Sequence, residues 1–133
     1  MPTRYRESIQ ERAQSKLVVT LHHDPCLLIY PLPDWERTQQ EIMDLPSMDP
    51  KARWLQRVVV GYATDLELDG HGRFLVPPEL REIAKLQRLA MLIGQGSRFE
   101  LWDEARWNEQ RDQYLKREAD GTDLPSLLDS VSL

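Results

Sequence analysis

The sequence has little of several features that would assign it to a specialised class of protein. Its single cysteine, Cys26, excludes an intrachain disulfide framework and fits a reducing cytosol. It has no run of about 18 apolar residues, so no membrane-spanning helix is expected. The start of the chain lacks the apolar core of a secretion signal. Its 133 residues are enough for one domain or two very small ones, and we expect a folded cytoplasmic protein.

An excess of positive charge is also missing. The chain has 17 lysines and arginines against 22 acidic residues, and this net charge of -5 argues at first sight against nucleic-acid binding, which needs cations. The acidity is uneven, because residues 103–133 carry eight acidic and four basic side chains. A locally basic surface elsewhere on the chain is therefore compatible with the composition.

A glycine-containing stretch at residues 69–81 is the most informative about function. Gly70 and Gly72 flank a histidine, and both predict a tight reversal of the chain, because glycine reaches backbone angles that other residues avoid. Arg73 follows at the exit of this turn. A guanidinium on such a rigid base can donate a fork of two hydrogen bonds to a phosphate, a carboxylate or a guanine edge.

The apolar spacing and the proline positions predict short helices and strands along the whole chain. Alternation over residues 63–69 is typical of a half-buried strand, which would pair with a strand at 73–76 across the glycine turn. The predicted elements are helix 2–14, strands 17–21 and 26–30, helices 33–45 and 50–60, strands 63–69 and 73–76, helix 78–85, strands 89–94 and 98–102, and helix 104–118.

The two halves of the chain resemble each other. The matched pairs, 75 residues apart near the start and 72 apart further on, are Pro2 and Pro77, Arg6 and Arg81, Glu7 and Glu82, Tyr30 and Trp102, and Trp35 and Trp107. Each half offers too few short strands to bury a core alone. Two halves packed about a pseudo-twofold axis would remove each other's open strand edges.

We therefore predict an α+β fold that is mainly β, with peripheral α-helices around one small barrel built from both halves. The expected domains are a first repeat at 1–35, a helical linker at 36–62, a second repeat at 64–107, and a C-terminal helix with an acidic, loosely ordered tail at 108–133. The second repeat begins with a strand and turn that the first repeat lacks.

The pattern Asp69-x-x-Gly72-Arg73-x-x-x-Pro77-x-x-Leu80-Arg81, duplicated at this spacing, resembles the bacterial MraZ transcriptional regulators. This family belongs to the wider AbrB/MazE group of swapped-hairpin proteins. Further matching stretches are CLLIYPLPDW at 26–35, MDP at 48–50 followed by Arg53 and Arg57, and FELWD at 99–103. The likeness covers nearly the whole chain.

The resemblance implies a double-split β-barrel of two AbrB-like repeats, a ring-shaped homo-oligomer, and a nucleoid-associated protein in the cytoplasm. It implies binding to double-stranded DNA at short repeated boxes upstream of the division and cell-wall gene cluster, and repression of the protein's own operon. The candidate DNA-binding residues are Asp69, Gly70, His71, Gly72, Arg73, Arg81 and Arg6, with Arg73 matching the family's DNA-contacting arginine. No enzymatic activity, cofactor, metal, membrane or small-molecule substrate is expected.

The first repeat has no counterpart of the Arg73 turn, because family members begin with an extra strand and turn ahead of the position of Pro2. We expect the upstream reading frame to encode roughly eighteen further residues with an Asp-x-x-Gly-Arg turn, an estimate taken from the repeat offset. Without them, half of the DNA-reading turns would be lost and a strand edge would be exposed.

Simpler interpretations stay open for the charged candidates. Arg73 could pair with Asp69 rather than with DNA. For Arg6 and Arg81 we favour an ion pair that ties helix to turn over a contact that positions the DNA backbone. His71 could add a phosphate contact or merely be exposed.

A second group of polar side chains, His22, His23, Asp24 and Cys26, superficially resembles a metal or Cys/His catalytic site. Adjacent histidines on a turn point in different directions and no further ligand group has suitable spacing, so we favour a buried structural cysteine.

The recurring aromatic residues Tyr30, Trp35, Trp102 and Trp107 are interpreted as core or interface anchors before base-stacking platforms. The alternative function is an antitoxin-like protein-interaction module of the AbrB/MazE group, in which the acidic tail covers a partner.

Overall fold

The structure, a computed structural model, describes residues 2, 3, 5, 6, 9, 15–22 and 24–119. The chain forms two compact units, Met1–Asp103 and Glu104–Leu133. The helix predicted at 2–14 falls mostly outside the described residues, although residues 3, 5, 6 and 9 are helical. His23 and the tail predicted beyond residue 119 also lie outside them.

Ten elements follow one another in the described part of the chain. They are β1 (Lys16–Leu21), β2 (Cys26–Pro31), α1 (Leu32–Met43), α2 (Pro50–Trp54), a π-helix (Leu55–Val60), β3 (Thr64–Glu67), α3 (Pro78–Ile83), β4 (Ala90–Gln95), β5 (Arg98–Asp103) and α4 (Glu104–Ala119). The predicted α+β class is confirmed.

Proline and short polar side chains set the helix starts as the sequence predicts. Helix α2 begins at Pro50, and the carboxylate of Asp49 accepts a hydrogen bond of 2.9 Å from the backbone N–H of Lys51. This side-chain cap satisfies one of the N–H groups that a helix start leaves open. Helix α3 begins at Pro78. A missing N–H costs nothing at this position.

The helix predicted at 50–60 changes character after Trp54. The chain widens there into the π-helix, which contains three consecutive β-branched residues at 58–60. Branched side chains are stiff and crowd the preceding turn of an α-helix, which favours the wider path. Val59 is buried, and its carbonyl accepts a hydrogen bond from the Thr20 hydroxyl on β1.

The described strands form one antiparallel sheet in the order β3-β1-β2-β5-β4. Its centre is the pairing of β2 with β5, in which Leu28 lies opposite Glu100. These two residues are 72 positions apart, the same offset that relates Tyr30 to Trp102. Strand β1 pairs on its outer side with β3, and β4 is the opposite edge of the sheet.

Apolar side chains are buried on both faces of the sheet. The cluster on one face consists of Ile9, Leu17, Val19, Leu21, Leu27, Ile29, Leu68, Leu80, Ala84, Phe99 and Leu101. The cluster on the other face consists of Val18, Leu28, Tyr30, Trp35, Ile42 and Val59. Strand residues alternate between these clusters because successive side chains point to opposite faces. Each valine, leucine, isoleucine or phenylalanine side chain buried in this way stabilises the fold by about 1.5–3 kcal/mol.

The strand predicted at 73–76 is wrong. Strand β3 ends at Glu67 and pairs with β1, with Leu66 opposite Leu17, and residues 73–77 form no strand. Phe74 and Val76 instead pack against the cluster that contains Ile29. Two prolines follow immediately at 77 and 78, and because proline has no N–H it cannot extend a strand ladder.

Candidate nucleic-acid interface

The turn at residues 69–73 is organised by one carboxylate. Asp69 Oδ1 accepts hydrogen bonds from the backbone N–H groups of His71 and Arg73, each at 2.8 Å. The backbone closes the same turn, because the Asp69 N–H donates to the Arg73 carbonyl at 2.9 Å and the Gly72 N–H donates to the Asp69 carbonyl at 3.0 Å. The turn is therefore fixed by its own hydrogen bonds, as expected for aspartate in this position.

These contacts favour the ionised form of Asp69. The hydrogen bond from the Arg73 backbone N–H is the main cause that lowers the pKa of the carboxyl below its ordinary value, and the hydrogen bond from His71 and the Arg73 charge lower it further. Hydrogen bonds to the charged form stabilise that form. The base of the turn thus carries a fixed negative charge.

Of the two interpretations that the sequence left open for Arg73, the structure shows the pairing with Asp69, and the contact with DNA stays a prediction. Its Nε lies 3.4 Å from Asp69 Oδ2, so one nitrogen takes part in a loose ion pair, while its side chain is 74% exposed. Within the described part of the chain, no hydrogen bond or ion pair takes up its Nη1 and Nη2 nitrogens. The guanidinium therefore has donors available to an incoming acceptor.

Only one of the two glycines of the turn needs to be glycine. Gly72 has φ +75° and is buried, and a side chain is strained in this backbone conformation. Gly70 has no such angle, and a Cβ placed on it would meet no atom within 4 Å. The expectation that glycine supplies a backbone angle that other residues avoid is therefore confirmed for Gly72, whereas Gly70 adopts no such angle.

Arg6 lies underneath the turn. A Cβ placed on Gly72 would overlap the Arg6 guanidinium, and the Arg6 side chain is half-buried. The residue that the repeat matches to Arg81 thus packs against the turn that presents Arg73. Its predicted role as a DNA contact stays a prediction.

Arg81 and His71 are both exposed. The ion pair that we favoured for Arg81 is not formed with any of the residues that the structure describes, so its charge is open to solvent on helix α3. His71 contributes its backbone N–H to the turn. Of the candidate residues, Asp69, His71, Gly72, Arg73 and Arg6 are brought together by direct contacts, and Gly70 lies within the same turn.

Sequence reasoning missed one residue beside this turn. Leu75 is 78% exposed, although the residues before and after it pack against the core. The sequence carries no clear signal for this exposure, because three consecutive apolar residues follow Arg73 and only the structure shows that the middle one is exposed.

Comparison with known proteins decides the family. The family model described as "MraZ protein, putative antitoxin-like" matches the chain twice, at residues 1–58 and 59–123. The chain belongs to the MraZ family. Three proteins named transcriptional regulator MraZ are similar to it. The one from Thioalkalivibrio sulfidiphilus is 48% identical over 133 residues, covering 100% of this chain and 89% of the relative.

Two further relatives of the MraZ family show the same range of similarity. The one from Hydrogenovibrio crunogenus is 47% identical over 134 residues, covering 100% of this chain and 88% of the relative. The one from Pseudomonas aeruginosa is 53% identical over 109 residues, covering 81% of this chain and 72% of the relative. The resemblance proposed from the Asp69–Arg81 motif is confirmed.

The polar side chains at residues 22–26 have structural roles in this MraZ-family chain. The Asp24 backbone N–H donates to His22 Nδ1 at 3.1 Å, and Cys26 is buried. Burial is the main cause that raises the pKa of the Cys26 thiol, and the charge of Glu100 adds to it. A thiol held neutral is a poor nucleophile and a poor metal ligand. No group of three potential metal ligands occurs among the residues described.

The aromatic residues behave as core anchors in the sheet unit. Tyr30 and Trp35 are buried with ring centroids 5.4 Å apart. Trp102 is buried too, and its Nε1 donates to Glu100 Oε1 at 2.9 Å. Buried rings cannot serve as stacking platforms for bases, so the interpretation of these three as anchors is supported. Trp107 lies in the second unit on α4 and is half-buried.

The helices that the structure describes are each too short or too polar to span a lipid bilayer.

Proposed function

We propose that the chain is a transcriptional regulator that binds double-stranded DNA in a sequence-specific manner through the turn at residues 69–73. The observation that carries the proposal is the Arg73 guanidinium, which is 74% exposed on a turn fixed by the Asp69 carboxylate. A pre-ordered arginine loses little freedom on binding and can donate to both O6 and N7 of a guanine. The name of its relatives, transcriptional regulator MraZ, supports the same function.

The other candidates have supporting roles in this proposal. Asp69 and Gly72 hold the backbone of the turn, and Arg6 supports it from below. Arg81 and His71 are exposed near the same segment and contact phosphates, which positions the protein on the duplex without reading sequence. Gly70 keeps the tip of the turn narrow where it approaches the DNA.

Assembly into a homo-oligomeric ring is part of the proposal, because one turn on a chain of net charge -5 gives weak binding. Several copies presenting identical turns to short repeated boxes gain affinity by multivalency. The regulated boxes would lie upstream of the division and cell-wall gene cluster, with repression of the chain's own operon. The protein would act in the cytoplasm at the nucleoid, without enzymatic activity.

The fold proposed for this function is a double-split β-barrel of two AbrB-like repeats. The central register supports it, because Leu28 and Glu100 lie opposite each other and are separated by the repeat offset of 72 residues. Two equivalent antiparallel strands related by a local twofold axis pair in this way, at equivalent residues. The domain bounds 1–35, 36–62, 64–107 and 108–133 belong to the same proposal.

The test is a fluorescence anisotropy titration with a duplex that carries the region upstream of the chain's own operon, against a scrambled duplex of equal length. Arg73→Ala should lose about 1–3 kcal/mol of specific binding, or about five- to 150-fold in Kd. Arg73→Lys should retain the salt dependence of binding but lose discrimination between the duplexes, because lysine keeps the charge without the fork.

Arg88→Ala is the matched control, because Arg88 is also exposed and its removal changes the net charge equally. If Arg73→Ala and Arg88→Ala weaken specific binding by the same small amount, the turn does not read DNA. If the wild-type protein shows no sequence-specific binding, the result would instead favour the antitoxin-like interaction module. The description of the family model also contains the term antitoxin-like.

A further inference from the structure

Leu75 occupies an unusual position beside the candidate DNA-reading turn. It is 78% exposed, whereas its neighbours Phe74 and Val76 pack against the apolar cluster that contains Ile29. Exposed and packed side chains alternate over residues 73–76, so Leu75 and Arg73 project to the same side, away from the core. An apolar side chain therefore stands next to an exposed guanidinium on one solvent-facing surface.

The backbone that carries Leu75 is fixed at both ends. The Asp69 carboxylate holds the Arg73 N–H at 2.8 Å, and the packing of Phe74 and Val76 holds the next residues against the core. A single exposed leucine is common on protein surfaces. A leucine held in place at the side of a candidate base-reading arginine is pre-organised for a specific contact, because little freedom is lost on binding.

We propose that Leu75 reads a thymine by packing against its 5-methyl group, about two base pairs from the base that Arg73 contacts. This inference rests on the proposed function. The thymine methyl is the apolar group that distinguishes bases in the major groove, and leucine has no donor for a phosphate. Residues two apart in an extended chain are about 6.6 Å apart, which matches about two steps of 3.4 Å along the duplex.

The experiment replaces thymines of the bound duplex, one at a time, by deoxyuridine, which differs only by the missing methyl group. Wild-type protein should bind one such duplex about fourfold more weakly, the loss expected for one buried methyl group. Leu75→Ala should bind the thymine duplex more weakly by a similar or larger factor. It should bind the thymine and deoxyuridine duplexes equally well, because the side chain that senses the methyl group is gone.

Leu89→Ala is the matched control, since Leu89 is also exposed, at 61%, and lies outside the turn. It should keep the wild-type sensitivity to deoxyuridine. Thermal unfolding of Leu75→Ala should match that of the wild type, because the exposed side chain contributes little to the core.

The inference is overturned if no single deoxyuridine weakens wild-type binding, or if Leu75→Ala keeps the full sensitivity. These results differ from a failure of the proposed function, in which Arg73→Ala binds as the wild type does or the wild type shows no sequence preference. If Arg73→Ala weakens specific binding but no deoxyuridine does, only the role of Leu75 is rejected and the role of Arg73 stands.

Discussion

The Asp69 carboxylate holds Arg73 at two points, accepting a hydrogen bond of 2.8 Å from its backbone N–H and lying 3.4 Å from its side-chain Nε. The first contact fixes where the side chain begins and the second limits its directions. An acceptor that forms hydrogen bonds with the Nη1 and Nη2 nitrogens of Arg73 does not have to displace Asp69. The ion pair and a DNA contact are thus compatible functions of the same arginine.

The order of the turn should depend on the ionisation of Asp69. Because its pKa is lowered in the folded chain, its hydrogen bonds contribute fully above the ordinary aspartate pKa and are lost only as the pH falls through the lower, folded value. The amide shifts of His71 and Arg73, followed by NMR, should therefore titrate together at acid pH. Asp69→Asn should remove this titration, whereas Asp65→Asn on β3 should preserve it. Unchanged titration in Asp69→Asn would contradict the assignment.

The two glycines of the turn should differ in their tolerance of a methyl group. Gly72→Ala places a side chain at φ +75° and forces the Arg6 guanidinium to move, so it should lower the free energy of unfolding by about 1–2 kcal/mol or more. Gly70→Ala should change it by less than about 0.5 kcal/mol, because its Cβ meets open space. Urea unfolding of the two variants measures both values. Equal values would show that the turn is not held in this conformation.

The centre of the sheet should be sensitive to loss of side-chain volume. Ile29 is 0% exposed and lies on β2 between β1 and β5. Ile29→Ala should lower the free energy of unfolding by about 2–5 kcal/mol, the sum of lost burial and an unfilled cavity. Leu115→Ala, on the exposed surface of α4, should cost less than about 0.5 kcal/mol. A small effect at Ile29 in urea unfolding would contradict this packing.

Cys26 should be unreactive in the folded chain. Burial raises the pKa of its thiol, so little thiolate is present at neutral pH, and access to the sulfur is blocked as well. An aromatic disulfide reagent should modify the native protein at least about tenfold more slowly than the chain in denaturant. Equal rates would show that β2 opens readily or that the cysteine is accessible.

Local sequence patterns were sufficient to place most elements. Strands β1, β2, β4 and β5 were predicted within one residue at each end, because they are short apolar runs with turn residues such as Asp24, Pro25 and Gly96 between them. The start of α2 followed from Asp49 and Pro50 for the same reason. The motif around Arg73 was also visible in the sequence, and the structure brings most of its predicted members into contact.

Local sequence patterns could not predict which distant segments of the chain pair with each other. The ladder of β3 with β1 joins Leu66 to Leu17, and no short-range signal specifies it. The failed strand at 73–76 has a related origin, because Phe74 and Val76 of this apolar run pack on the core and the segment forms no strand ladder. The exposure of Leu75 follows from that packing, which explains why it was missed.

The central position of β2 and β5 has a consequence for synthesis of the protein. Strand β2 ends at Pro31, but its central partner is complete only at Asp103, so a ribosome must extend the chain by some seventy codons before the sheet can close. During that interval the β2 edge of the β1–β2 hairpin carries unpaired backbone N–H and C=O groups, to which a chaperone or another nascent chain can bind. Slow translation upstream of codon 103 would lengthen this vulnerable period.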